Sequence, residues 1–202
     1  MPFSPRPARS LLVAGVLAGA LALAGCTPSA SPSSSPTATA GGASTTKPTE
    51  TTPTSTPTEP PTPVTLTCDQ LVTPDQLYAY NPNFGANPGY SPKDGSLEKK
   101  IADWQGVACS WLNQTSGDVI QIAVAQPPAS QLDALKNAAI TDAQPVPTYG
   151  APPIEGYFKT GDAGQVQIFR GTQWIVAEST AFFEPGDAAP LMENVLANLP
   201  AA

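Results

Sequence analysis

Apolar and polar positions alternate in three different ways along this chain. Residues 11–24 form an uncharged apolar run. Residues 27–65 are almost wholly Thr, Ser, Pro, Ala and Gly, so no periodic apolar face exists there. From Leu66 onward, apolar residues recur with the periods of helices and strands. Thr73-Pro74-Asp75-Gln76 predicts a helix start, with Thr73 as cap, Pro74 at the first helical position and Gln76 closing a capping box. Asn81-Pro82 ends that helix. A loop rich in Gly, Pro and Asn is expected over 81–96.

Cys109 to Leu112 reads as a short strand. Val119 to Val124 reads as another, with Ile120, Ile122 and Val124 on one face. Pro127-Pro128 stops it, and Ser130 is expected to cap a helix with Leu132, Leu135, Ala139 and Ile140 along one stripe. A second loop is expected over 145–153. Three more strands follow, beginning at Gly156-Tyr157-Phe158, Gln165 and Gln173, joined by tight turns at 162–164 and 171–172. Asp187 is expected to cap a last helix carrying Leu191, Val195, Leu196 and Leu199. The pattern predicts an α+β domain over 66–202, with an antiparallel sheet of about five strands packed on one face by helices.

The first two stretches define a different kind of chain. Arg6 and Arg9 precede the apolar run, which is the layout of an export signal over residues 1–25. Fourteen helical residues reach only about 21 Å, against a hydrocarbon core of roughly 30 Å. Leu23-Ala24-Gly25-Cys26 resembles a bacterial lipobox. That resemblance implies a diacylglycerol on Cys26 and cleavage before it; an ordinary secretory signal is the alternative. Residues 26–65 then form a disordered tether, because such a composition cannot bury enough surface to offset its ordering entropy. Its reach lies between about 34 Å as a coil and about 120 Å extended. Ser/Thr-rich tracts with Pro also suit O-linked sugars. The expected location is the outer face of the cell membrane, with the bilayer reached through the lipid.

Charge and residue types narrow the chemistry. The chain has nine basic and sixteen acidic residues and no histidine, for a net charge of −7. Acidity opposes binding to a phosphate backbone, so no nucleic acid partner is expected. Without histidine, Ser-His-Asp and Cys-His systems are excluded. No phosphate-binding or Ca²⁺-binding loop spacing is present, and no metal or cofactor is expected. Two thiols, Cys68 and Cys109, remain beyond Cys26. In an oxidising compartment they most simply form one disulfide, whose loop of roughly 40 residues contributes about 4 kcal/mol.

Cys68-Asp69-Gln70-Leu71-Val72-Thr73-Pro74 followed by Gly106-Val107-Ala108-Cys109-Ser110-Trp111 resembles a family of small actinobacterial surface lipoproteins of unassigned function. The resemblance spans most of 66–200. It too implies the disulfide, the α+β fold and the outer-surface location, and it transfers no catalytic residue. The chain departs from that pattern at 78–90, where the first helix is shorter and the loop longer.

The leading reading is a non-enzymatic, lipid-anchored binding domain for an envelope component or another surface protein. Tyr80, Phe84 and Tyr90 on the first loop, with Tyr149 on the second, are the candidate contact residues. Loop aromatics carry contact area with little entropy to lose, although folding back to close the core beneath the loop is the commoner use for such residues. The runner-up is a carrier of a small apolar ligand held between sheet and helices. A third reading is an enzyme working with carboxylates alone. Among the acids, Glu178 shares strand parity with Trp174 and Val176, and a frayed strand end facing water is its expected place.

Overall fold

A computed structural model describes residues 59–201. The export signal, Cys26 and most of the tether lie outside the described residues. The helices are α1 (Cys68–Leu71), α2 (Pro74–Tyr80), α3 (Leu97–Asp103), α4 (Ala129–Asp142) and α5 (Pro185–Asn198). The strands are β1 (Phe84–Ala86), β2 (Val107–Asn113), β3 (Val119–Ala125), β4 (Gln144–Pro145), β5 (Glu155–Lys159), β6 (Gly164–Arg170) and β7 (Gln173–Ser179). They form one seven-stranded sheet in the order β1-β2-β3-β7-β6-β5-β4, antiparallel throughout.

The α+β class and the five long strands follow the sequence pattern. The count of about five is corrected to seven. The two additional strands are the edges, three and two residues long, and both lie in segments read as loops. Such short segments hold too few residues to display alternation.

Packing on one face is also corrected, because helices cover both. On the first face, Cys109, Trp111, Ile120, Ile122, Ile168 and Ile175 meet Leu71, Leu77, Leu191 and Val195 of α1, α2 and α5. On the second face, Ala123, Phe169, Trp174 and Val176 meet Ile101 of α3 and Leu135 and Ala139 of α4. The α3 helix was not among the predicted elements. Ser96 accepts from the Lys99 amide to start it, and Leu97, Ile101 and Trp104 form its apolar stripe. Gly106 lets it lie close to the sheet, since a Cβ there would sit 2.4 Å from the Val124 carbonyl oxygen.

Helix ends follow the predicted chemistry at α2 and are corrected at α4 and α5. Thr73 and Gln76 form the capping box of α2, and Asn81 closes that helix. The α5 cap is Glu184, with Asp187 as its reciprocal partner three residues inside and Pro185 at the first turn. The N-cap of α4 is Pro128, two residues before Ser130 and without a side-chain cap, so Ser130 lies inside the first turn instead of capping it.

A disulfide joins Cys68 at the start of α1 to Cys109 on β2, with Cα atoms 5.5 Å apart. It ties the first helical layer to the sheet. The incoming chain is fixed at one end of the sheet, where Thr62 pairs with Gln126 and the Val64 amide donates to the Gln105 carbonyl. The C-terminus reaches the same end, where Arg170 donates to the carbonyls of Leu196 and Pro200.

Candidate functional site

The four predicted contact aromatics part company. Phe84 is buried on β1, and Tyr149 is buried in a short 3₁₀ turn over Pro147–Tyr149. Tyr80 is half-buried and packs against the same core, its ring 6.1 Å from that of Phe84. The Tyr80 hydroxyl donates to the Asp187 carbonyl and the Tyr149 hydroxyl to that of Pro185. The hydroxyls of Tyr80 and Tyr149 therefore clamp the first turn of α5, whose N-terminal carbonyls lie beside the sheet. Burial raises the pKa of both, with the Asp187 charge adding to it. These three aromatic residues build the first-face core rather than an exposed platform.

Tyr90 sits elsewhere, in the loop before α3. Its ring lines a cavity of about 230 Å³ with Asn87, Ser110 and the Cys68–Cys109 pair. Its hydroxyl is buried without a hydrogen-bond partner. Burial is the main cause of its strongly raised pKa, and the charges of Glu98 and Glu178 add to it.

Those two acids mark the polar part of the second face. The sheet register aligns Ser110, Gln121, Glu178, Gln165 and Lys159 in one row across five strands. The next row is Ala108, Ala123, Val176, Gln167 and Tyr157. The row after that holds Ala125, Trp174, Phe169 and Glu155. The second face thus grades from aromatic, near the point where the tether enters, to polar at the far end. Trp174 stacks on Phe169 at 6.5 Å and meets Trp104 at 5.9 Å, and its indole N–H donates to the buried Gln167 amide oxygen at 3.2 Å.

Between α3 and α4, over the polar row, lies a pocket of about 260 Å³. Its walls come from Ser96 and Leu97 on one side and Leu135, Ala138 and Asp142 on the other; Gln165, Gln167, Trp174 and Glu178 line the sheet side, with Lys159 beside them. Gln165 Nε2 donates to Glu178 Oε2 at 2.9 Å. Glu178 is half-buried beneath helices rather than frayed into water, and its parity with Trp174 and Val176 holds. Glu98, on α3, is 1% exposed, and its Oε1 has no hydrogen-bond partner. Desolvation raises its pKa foremost. Its own backbone and Ser96 oppose that, and the Glu178 charge reinforces it.

Sequence reasoning missed Glu98 because α3 itself was missed. The spacing Leu97, Ile101, Trp104 carried the signal, and it would have set Glu98 one position from the apolar stripe. A second hollow of about 340 Å³, lined by Asp142, Phe158, Lys159, Thr160 and Pro185, shares Asp142 and Lys159 with the first. Among the described residues, no group of three or more Cys, Asp or Glu side chains is placed to hold a metal ion. Searches against family models, curated proteins and solved structures give no match to this chain.

Proposed function

We propose that this chain is a lipid-anchored extracytoplasmic binding protein that takes a small polar ligand in the pocket between α3 and α4. One observation carries the reading: a pocket whose sheet side combines Gln165, Gln167 and Glu178 with Trp174. A few convergent polar groups in a concave site are how small-molecule sites fix orientation. Its volume of about 260 Å³ is below the ~300–1,000 Å³ of sites for drug-sized molecules, so a compact ligand suits it.

The chain enters the sheet beside Gln126, and the polar row crosses β3 at Gln121, about 17 Å further along at strand rise. A lipid on Cys26 and a tether over 26–65 would hold the domain at the outer face of the membrane. The resemblance to actinobacterial surface lipoproteins fits that placement. An apolar carrier fits less well, because the side chains lining this pocket from the sheet are largely polar.

Glu98, its pKa raised foremost by burial and also by the Glu178 charge, favours one second reading, an enzyme working with this pair of carboxyls. The burial of Glu98 sets it behind the pocket wall and keeps binding as the first reading.

The test is a titration of the full-length protein with soluble fragments of the cell envelope, followed by amide chemical shifts. Saturable shifts at Leu97, Gln165 and Glu178 are expected. Ala138→Trp, at an exposed position on the pocket rim, should abolish them while the melting temperature holds. Shifts confined to 81–92, or shifts indifferent to Ala138→Trp, would overturn the pocket as the site. Cys26→Ser should move the protein from membrane to medium or leave it unprocessed, and an unchanged mass and distribution would remove the anchor.

A further inference from the structure

The hydrogen bonds already made at the pocket floor determine which kind of ligand can complete them, an inference that rests on the binding reading above. We propose that the pocket binds one pyranose ring of a neutral oligosaccharide, and that the adjoining hollow of about 340 Å³ takes the next unit of the same chain.

The floor carries a fixed pattern of donors and acceptors. Gln167 is 8% exposed, and its amide oxygen is occupied by the Trp174 indole N–H. That bond orients the amide, so Gln167 Nε2 is the group left to donate, and it has no acceptor among the described residues. Trp174, fully buried behind it, is a positioning residue. On the neighbouring row, Gln165 Nε2 donates to Glu178 Oε2, which leaves Gln165 Oε1 and Glu178 Oε1 as free acceptors. The pocket therefore offers a donor in one row and two acceptors in the next, about 7 Å away along β6 at strand rise.

Such a pattern selects hydroxyl groups. A hydroxyl both donates and accepts, so the hydroxyls around one sugar ring can satisfy Gln167, Gln165 and Glu178 together. The bond to Glu178 is charge-assisted. A carboxylate or phosphate ligand can only accept, and Glu178 repels it. An apolar ligand would leave all three groups unpaired.

The second hollow extends the ligand beyond one ring. The two hollows share Asp142 of α4 and Lys159 of β5 as a common wall, and the second continues past Thr160 to Pro185 at the first turn of α5. Asp142 and Lys159 belong to neither ion pair among the described residues, Lys99–Asp103 or Lys136–Glu155. One carboxylate and one ammonium at the junction can hold hydroxyls on either side of a glycosidic link without adding net charge. An extended peptide is the competing occupant, and the neighbouring sheet edge disfavours it. The β4 strand has two residues, and one of them, Pro145, has no N–H to pair with an added strand.

The experiment compares one sugar with three. The full-length protein is titrated near neutral pH with N-acetylglucosamine and chitotriose, and with glucose and cellotriose, again following amide shifts. The two series separate acetamido-bearing from purely hydroxylated chains. In at least one series the trisaccharide is expected to move Leu97, Gln165, Gln167 and Lys159 saturably and to bind at least about tenfold more tightly than its monosaccharide. Glu178→Gln keeps side-chain size and should lower trisaccharide affinity about tenfold, since it removes the charge-assisted acceptor. Thr160→Trp, at an exposed position in the second hollow, should reduce the trisaccharide to the affinity of its monosaccharide. Melting temperatures report whether both variants fold, and the surface substitution carries the test if Glu178→Gln does not. Equal affinity for one unit and three, or indifference to Thr160→Trp, overturns the two-hollow assignment. Equal binding of a capped alanine–serine tetrapeptide at the same residues overturns the choice of a sugar. If envelope fragments move pocket resonances and no saccharide does, the saccharide assignment alone falls. If nothing moves them, the binding reading falls with it.

Discussion

The two faces of the sheet are built by the same strands and obey different rules. On the first face the central inward positions of the long strands are apolar, with the buried polar residues Asn113, Gln173 and Ser179 confined to strand ends; a disulfide pins the helical layer, and two tyrosine hydroxyls tie down the start of α5. On the second face the inward positions change character along the strand, from Trp174 and Phe169 to Gln167, then to Gln165 and Glu178. A face that only had to bury area would have no use for that gradient. Polar groups beneath helices cost stability unless each finds a partner. The first face therefore carries the stability of the fold, and the second carries its unfinished chemistry.

Breaking the first face should produce the largest effect. Replacing Cys68 and Cys109 with Ser releases a loop of sequence separation 41 in the unfolded state, and the expected loss is about 4 kcal/mol. Urea denaturation of the double variant against the wild type measures it. A loss well below 2 kcal/mol would mean that the layer of α1 and α2 holds to the sheet without its covalent tie.

Next in size is the tyrosine clamp. Tyr149→Phe leaves the Pro185 carbonyl without its donor, and a cost of about 1–2 kcal/mol is expected. Tyr80→Phe, at a more exposed position, should cost about half of that. Thermal unfolding of both variants orders them. If the two removed nothing measurable, the aromatic residues of the first loop would again be available for a role in contact rather than in folding.

How far the sequence could be read differs between the faces for a physical reason. The first face announces itself through period: Ile120, Ile122 and Val124 alternate, Leu191 and Val195 recur by helical spacing, and two cysteines suffice for one bond. The edges β1 and β4 escape notice because three or two residues cannot show a period. The second face hides for another reason. Its inward residues include glutamines and a glutamate, and polarity is the signal by which an outward position is ordinarily recognised. Glu178 was placed on the correct side by parity alone, yet nothing local says that α3 covers it. Tyr90 stands out in the sequence as an aromatic on a loop, but the charges that reach it, those of Glu98 and Glu178, come from 8 and 88 residues further along the chain. A site assembled across such separations shows in the register of the sheet, not in any motif.

The smallest effects test the second face by their dependence on pH, where its two glutamates should pull in opposite directions. The pKa of Glu98 is raised in the fold, mainly by desolvation. The folded state then holds its proton more tightly than the unfolded state. Its contribution is most favourable below the unfolded carboxyl range and is lost as pH rises through the folded pKa. Glu98→Gln removes that loss, so the variant should gain on the wild type from acid toward neutral pH, by on the order of 1 kcal/mol. Glu155 lies on the same face with its pKa lowered, foremost by the Lys136 ammonium 2.6 Å away and with help from the Tyr157 hydroxyl. Its contribution is present above the unfolded carboxyl range and lost as pH falls through the folded pKa. Glu155→Gln should therefore cost stability at neutral pH and little in acid. The pair is partly exposed, so a few tenths of a kcal/mol is the expected size. Unfolding free energies of both variants across the acid range would cross in sign. If the two profiles ran parallel instead, Glu98 would behave as an ordinary ionised surface acid.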